Sequence, residues 1–225
     1  MKIVNVAIDG PSGAGKSTLA KSLSAKLGFV YVDTGALYRT IGYYVFSKEI
    51  DPKNEADVAA VLPEISVEMA YGDDGLQHML LNGQDVTKEI RLPEISMYAS
   101  AVSAHPPVRA FLLDMQRDLA RKNSVIMDGR DIGTVVLPNA KVKVFLTAAP
   151  EARAQRRALE LEQRGTPEAF EKVLADIQKR DWDDSHRATA PLKQADDAVL
   201  LDTTELTFQE SEAALLKIIE EKSAE

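Results

Sequence analysis

Short apolar runs and helical periodicities alternate along most of this chain, and one stretch breaks the rhythm. Ile3, Val4, Val6, Ala7 and Ile8 read as a buried strand, and Leu19, Ala20, Leu23 and Leu27 recur behind it at helical spacing. Phe29 to Val32 predict a second strand, which Asp33-Thr34-Gly35 breaks before a helix carrying Leu37, Tyr38, Ile41 and Val45. Residues 51–62 are polar and helix-like. Then the period changes to two. Ile65, Val67, Met69 and Tyr71 alternate with polar or small residues, Gly72-Asp73-Asp74-Gly75 predicts a turn, Leu76 to Leu81 returns, and Asn82-Gly83 turns the chain again. This is a small antiparallel meander inserted into a β-α-β chain.

Helical spacing resumes with Ile95, Ala99 and Val102, breaks at His105-Pro106-Pro107, and continues through Val108, Phe111, Leu112, Met115 and Leu119. Strands follow at 124–127, 141–146 and 198–201. Pro150 to Gly165 predicts a helix, and Thr166-Pro167-Glu168 has the cap, proline and acid order that opens another, running toward Arg180. If helix continues past there, Arg180, Asp184 and Arg187 share a face. Thr207 and Glu210 fit a capping box before Leu215, Ile218 and Ile219.

The join between the first strand and helix carries the strongest chemical signal. Gly10, Pro11, Ser12, Gly13, Ala14, Gly15, Lys16 and Ser17 fit the phosphate-loop pattern, and the strand-loop-helix context is the confirming one. Its glycines let backbone N–H groups turn inward as an anion nest open to solvent, Lys16 reaches the outer phosphates, and the Ser17 hydroxyl suits a magnesium ligand. A Gly-rich turn before a helix is the plain alternative. The apolar strand at 124–127 ends in Asp128-Gly129-Arg130-Asp131, where a carboxylate can hold magnesium through water or merely furnish a strand-end turn. Arg39 follows a polar turn at a strand end, so a ligand contact and a solvated surface charge are both open. Residues 151–190 hold six of the twelve arginines together with nine acids. Arg153, Arg156 and Arg157 lie along one side of a helix. A hairpin laced with ion pairs and a phosphate-seeking lid both fit this composition.

Composition narrows the classes. With 225 residues the chain can bury a sizeable core, and a net charge of −8 argues against a general nucleic-acid or anionic-membrane binder. There is no cysteine, and the three histidines stand apart at 78, 105 and 186, which disfavours thiolate chemistry and Cys- or His-based metal sites. The apolar start is too short for a signal peptide core or a membrane span, so a soluble cytoplasmic protein is expected.

Read together, the loop at 10–17, Asp33-Thr34-Gly35-Ala36-Leu37-Tyr38-Arg39, Asp128-Gly129-Arg130-Asp131-Ile132-Gly133-Thr134 and Arg187-Ala188-Thr189-Ala190-Pro191-Leu192 resemble the motif set of bacterial cytidylate kinases, a P-loop nucleoside monophosphate kinase family. The resemblance covers nearly the whole chain. It implies an α/β fold, a three-layer parallel sheet of the P-loop nucleoside monophosphate kinase type with an antiparallel β insert and a helical lid. It further implies one kinase domain, with a core at about 1–35, 107–150 and 188–225, a monophosphate-binding region at about 36–106 and a lid at about 151–187.

The same resemblance implies the site. ATP would lie on Gly10 to Ser17 and on Thr18. Thr34, Arg39 and Arg130 would hold the monophosphate, Ser100, Arg109 and Asp131 would face cytosine, and Arg180 and Asp184 would reach the sugar. Family members often carry Ser where Thr34 stands, and the hydroxyl is kept. Lys16, Arg130, Arg157 and Arg187 would serve transfer by bridging phosphates, with Mg2+ on Ser17 and, through water, on Asp128. Asp131 could instead pair with Arg109 and only brace its turn. The implied reaction takes ATP and CMP or dCMP to ADP and CDP or dCDP, in a monomer acting on small molecules, with no nucleic acid and no membrane. A kinase of the same fold for another monophosphate or a small metabolite is the first rival. A GTPase-type switch is the second, although the Asn-Lys-x-Asp stretch it would need is absent from the sequence.

Overall fold

The computed structural model describes residues 3–72, 77–163 and 165–224. The chain divides into two compact units, Met1–Tyr31 with Ala120–Glu225, and Val32–Leu119.

The first unit is built on a five-stranded sheet. Its strands are β1 (Asn5–Asp9), β2 (Val30–Asp33, entered from this unit), β6 (Val125–Gly129), β7 (Val142–Thr147) and β8 (Val199–Asp202), in the order β2-β6-β1-β7-β8. β1 pairs in parallel with β6 and β7, and β7 with β8. Burial on both faces is why β1 reads as an unbroken apolar run: Val6, Ala7 and Ile8 are all fully buried. Helix α1 (Lys16–Leu27) sets Leu19 and Leu23 into one core with Ile126, Val144, Leu146 and Leu215 and Ile219 of α8 (Phe208–Ala224). The predicted capping box is formed, since the Thr207 N–H donates to Glu210 Oε2 at 2.9 Å and the Glu210 N–H to Thr207 Oγ1 at 3.3 Å. From β1 the order steps to β6 and β2 on one side and to β7 and β8 on the other. That reversal at the carboxyl end of β1 is where open α/β sheets bind ligands.

Helices α6 (Pro150–Gln163) and α7 (Phe170–His186) form a hairpin closed by Ala154, Val173 and Ile177. Here the expectation for Thr166 is corrected. Gly165, at φ +74°, donates to the Glu162 carbonyl at 3.0 Å, and the Thr166 N–H donates to the Leu161 carbonyl at 3.0 Å. Those two bonds close the end of α6 in a Schellman motif, so Thr166 ends one helix instead of starting the next. α7 begins four residues later, behind Ala169. It ends at His186, which leaves Arg187 extended just beyond the helix that carries Arg180 and Asp184.

The second unit packs α2 (Thr34–Ser47), α3 (Glu55–Val61), α4 (Pro93–Val102) and most of α5 (Pro106–Lys122) with the three-stranded sheet β3 (Val67–Tyr71), β4 (Gln77–Leu81) and β5 (Gln84–Asp85). The meander is antiparallel as read, with Asn82 and Gly83 both at positive φ, the requirement of a tight hairpin turn. The Gly72–Gly75 turn and Leu76 fall largely on residues 73–76, outside the described ones. No turn separates β2 from α2. Asp33 itself is the N-cap, accepting the Ala36 N–H at 2.9 Å, so Thr34 and Gly35 are already helical. Leu37, Ile41, Val45, Ile90, Val102 and Leu112 share one core.

α2 and α4 approach closely at Gly42, where an added Cβ would lie 2.8 Å from the Ala99 backbone nitrogen. Backbone cannot yield as a flexible side chain would. Gly42→Ala is therefore expected to lower the unfolding free energy by about 2 kcal/mol, read as a fall in the urea midpoint.

Candidate active site

The site of the first unit starts where β1 ends. Gly10, at φ +149°, leaves the strand so close to β7 that a Cβ there would sit 1.9 Å from the Leu146 carbonyl oxygen. Gly13 and Gly15 also take positive φ, which curls the loop before α1 opens at Lys16. α1 has no side-chain cap bond and no acid in its first turn, so its end keeps the positive potential that favours an anion.

Lys16 departs from the expectation of a nest open to solvent. It is 5% exposed, and its Nζ donates to the Pro11 carbonyl at 2.7 Å. Burial, and next the positive charge of Arg130, push its pKa down well below the usual lysine range, while Asp128, Asp9 and Asp184 oppose that. Beside it the Ser17 hydroxyl donates to Asp128 Oδ2 at 2.7 Å, which joins the first residue pair expected to serve a metal. A hydroxyl and a carboxylate oxygen are hard donors that fit magnesium, an ion that completes its shell with water and phosphate. Among the described residues no three His, Cys, Asp or Glu side chains gather as a metal site of their own.

Asp9 is the residue that sequence reading passed over. From the last position of β1 it accepts the N–H groups of Ile132 and Gly133, each at 2.7 Å. It thereby fixes the single π-helical turn Ile132–Val136, directly after Arg130 and Asp131. Gly133 allows this approach, since a Cβ would press on Lys143 Cδ at 3.2 Å and Asp9 Oδ2 at 3.3 Å. The legible signal was a carboxylate closing the apolar Val6–Ile8 run of the central strand next to a phosphate loop.

Arg130 Nε donates to Asp184 Oδ2 at 2.8 Å, and its Nη1 to the Gly129 carbonyl at 3.2 Å. Arg187 Nε donates to the Ala190 carbonyl at 2.8 Å, and its Nη2 lies 3.8 Å from Asp131 Oδ1. Burial pushes the Asp184 carboxyl up, but Arg130, Arg180 and Arg187 outweigh it and hold the group below its ordinary value. Lys16, Arg130, Arg180, Asp184, Asp131 and Arg187 are thus brought into one electrostatic group.

The three arginines of α6 are parted. Arg153 turns inward, Arg156 Nη2 donates to the Thr203 carbonyl at 2.6 Å, and Arg157 pairs with Glu160 at 2.8 Å on a half-exposed surface. In the second unit Thr34 is buried in the first turn of α2. Arg39 donates to Ser96 Oγ at 2.6 Å. Arg109 donates to the Ser103 carbonyl at 3.1 Å and lies over the Tyr38 ring, and the Ser100 carbonyl accepts from Ser103 Oγ.

A family profile described as Cytidylate kinase matches residues 6–221. The chain belongs to the cytidylate kinase family. Within that family it is 48% identical over 220 residues to the cytidylate kinase of Caldicellulosiruptor bescii, covering 98% of this chain and 96% of that relative. It is 45% identical to the cytidylate kinase of Thermosipho melanesiensis, over 96% of this chain and 97% of the relative. The crystal structure of an uncharacterized protein from Eubacterium ventriosum shares the fold at a TM-score of 0.51, with 12% identity and 99% of each chain covered. Among the described residues of this cytidylate kinase family member, no helix is long and apolar enough to cross a membrane.

Burial is the largest influence on Asp9, and it pushes the carboxyl up to about 6 against the two N–H bonds that favour the charged form. The folded chain therefore binds this proton more tightly than the unfolded one, so the contribution favours folding at low pH and is lost as pH rises through about 6. Displacement from the ordinary 3.8 to about 6 corresponds to roughly 3 kcal/mol. Urea unfolding between pH 4 and 7 is expected to give wild type a decline in stability roughly 2–3 kcal/mol larger than that of Asp9→Asn.

Proposed function

We propose that this kinase transfers the γ-phosphoryl group of ATP to the phosphate of CMP or dCMP, in line, giving ADP and CDP or dCDP. The observation that carries the reading is the gathering of buried or half-buried cations, Lys16, Arg130 and Arg187, with Asp184 beside a phosphate loop. Cations held that close repel one another, and a pair of polyanionic substrates would relieve the repulsion. The acceptor phosphate is already ionised at neutral pH, so no general base is required and the work is alignment and charge neutralisation.

ATP lies on Gly10 to Thr18 in this reading, with Lys16 on its outer phosphates. Ser17, and Asp128 through water, would hold magnesium, which supplies neutralisation of the triphosphate charge when bound. Thr34, Arg39 and Arg130 take the acceptor phosphate, and Arg157 and Arg187 stabilise the transferring group. Ser100, Arg109 and Asp131 read the base, and Arg180 and Asp184 the sugar. Segment 36–106 acts as the monophosphate-binding region and 151–187 as a lid, with the remainder as core. Free nucleotides in the cytoplasm are the fitting partners of a monomeric acidic chain of net charge −8, which would repel nucleic acid and anionic membranes.

A panel of CMP, dCMP, UMP and AMP with ATP tests the assignment directly, and turnover favouring an acceptor other than CMP or dCMP would overturn it. Lys16→Met keeps the buried stem and removes the charge. Turnover is expected to fall on the order of 10³ or more, while the melting temperature holds or rises because the buried ammonium beside Arg130 is disfavoured. Base choice gives a sharper expectation. Cytosine offers an amino donor where uracil has a carbonyl, so a carboxylate at Asp131 accepts from the first and repels the second. Asp131→Ala is expected to lower kcat/KM for CMP and narrow the CMP to UMP ratio, by about tenfold. An unchanged ratio would return Asp131 to a bracing role.

A further inference from the structure

Arg153 is one of the deepest charges in the first unit, with its side chain 3% exposed, and its guanidinium makes four hydrogen bonds to protein. Nε donates to the Ala148 carbonyl at 2.8 Å, and Nη1 donates to the Ser12 carbonyl at 2.9 Å and to Asp181 Oδ1 at 3.0 Å. Nη2 completes the fork on Asp181 Oδ2 at 2.5 Å. A guanidinium so committed cannot swing to a phosphate without leaving a carboxylate and two carbonyls unmatched. Its position next to the loop is close as well, since a Cβ on Gly13 would touch Arg153 Cβ at 3.5 Å.

The Ser12 carbonyl and the Gly13 N–H are two ends of one planar trans peptide and point in opposite directions. Holding the carbonyl against Arg153 therefore aims the Gly13 N–H away from it, and with ATP on this loop that N–H would be a donor to phosphate. Asp181 belongs to α7, near Arg180 and Asp184, so the helix that carries the proposed sugar ligands also grips Arg153 beside the donor loop.

We propose that Arg153, held by Asp181, is a positioning pair for the donor nucleotide: it orients the Ser12–Gly13 peptide and couples α7 to the phosphate loop. The inference rests on the reading that ATP occupies that loop. Neither residue touches substrate in this scheme, and neither falls among the transfer or base-reading groups.

Calorimetric titration of ATP and, separately, of CMP into wild type, Asp181→Asn, Arg153→Met and the double variant tests the pair. Asp181→Asn keeps the shape of a partly exposed side chain and is expected to fold even if loss of the buried Arg153 charge costs stability. ATP affinity is expected to fall about fivefold in Asp181→Asn and about tenfold or more in Arg153→Met, as for hydrogen bonds to a charged group. The double variant should be no weaker than Arg153→Met alone, because Asp181 acts only through Arg153. CMP affinity should change by less than about twofold, and KM for ATP should rise more than kcat falls. Unchanged ATP affinity in Asp181→Asn, losses that multiply in the double variant, or equal losses for ATP and CMP would each overturn the proposal. Wild-type affinity for ATP and turnover of CMP bear on the parent reading, whereas variant-to-wild-type ratios bear on the pair, so the two failures are separable.

Discussion

Mutual repulsion among Lys16, Arg130, Arg180 and Arg187 is the constraint on which the first unit depends. Charges of one sign can stay close in a dry setting only if carboxylates stand between them. Asp184 does this for three arginines, while Asp128, Asp9 and Asp184 together support Lys16 against burial. The balance is incomplete, since Lys16 still sits well below the ordinary lysine range. An arrangement short of negative charge is one that takes up anions.

The sheet supplies the carboxylates at fixed positions. β1 and β6 are adjacent and in register, with Ile8 opposite Asp128 and Asp9 opposite Gly129. Asp9 and Asp128 therefore leave neighbouring strands at the same end, and each is bound to a different piece of the site. Asp128 takes the Ser17 hydroxyl at the start of α1, and Asp9 takes the backbone just after Asp131. The hydrogen-bond ladder of two buried strands thus fixes the spacing between the phosphate loop and the Asp128–Asp131 loop. Asp9 bears a cost for this, since burial opposes its charge, and positioned sites commonly carry such strain.

The arginine-rich hairpin resolves into distinct tasks that its composition leaves open. Arg153 is a buried strut to the phosphate loop and α7, Arg156 braces the loop after β8, and Arg157 stays at the surface with Glu160. All three arginines of α6 are thus bonded to protein groups, as the ion-paired hairpin requires, and the phosphate-seeking lid belongs to the proposed function. Arg187 keeps its proximity to Asp131 although it has left the helix, because α7 ends at His186 and the extended chain carries it there.

The sequence by itself determined the local elements and the chemistry of the phosphate loop. Apolar runs buried on both faces, the 3.6 period of α1 and α2, the Asn82-Gly83 turn and the Thr207–Glu210 box are written in neighbouring residues, and their physics acts over a few positions. Local pattern failed where one residue has two possible uses. Thr166 fits a helix start, and it is spent on the end of α6 because Gly165 makes the left-handed turn first. Asp33-Thr34-Gly35 looks like a break, but a capping carboxylate lets the helix begin at once. Lys16 looks exposed, but the loop folds its own carbonyl back over it. Apart from bonds to near neighbours, the partners named for Asp9, Asp128, Arg130 and Arg153 lie from 28 to 141 positions away along the chain, as Arg153 to Asp181 and Ser12 to Arg153 illustrate. Only tertiary structure could decide those, because burial and charge pairing depend on which strands and helices meet, and no local spacing encodes that meeting.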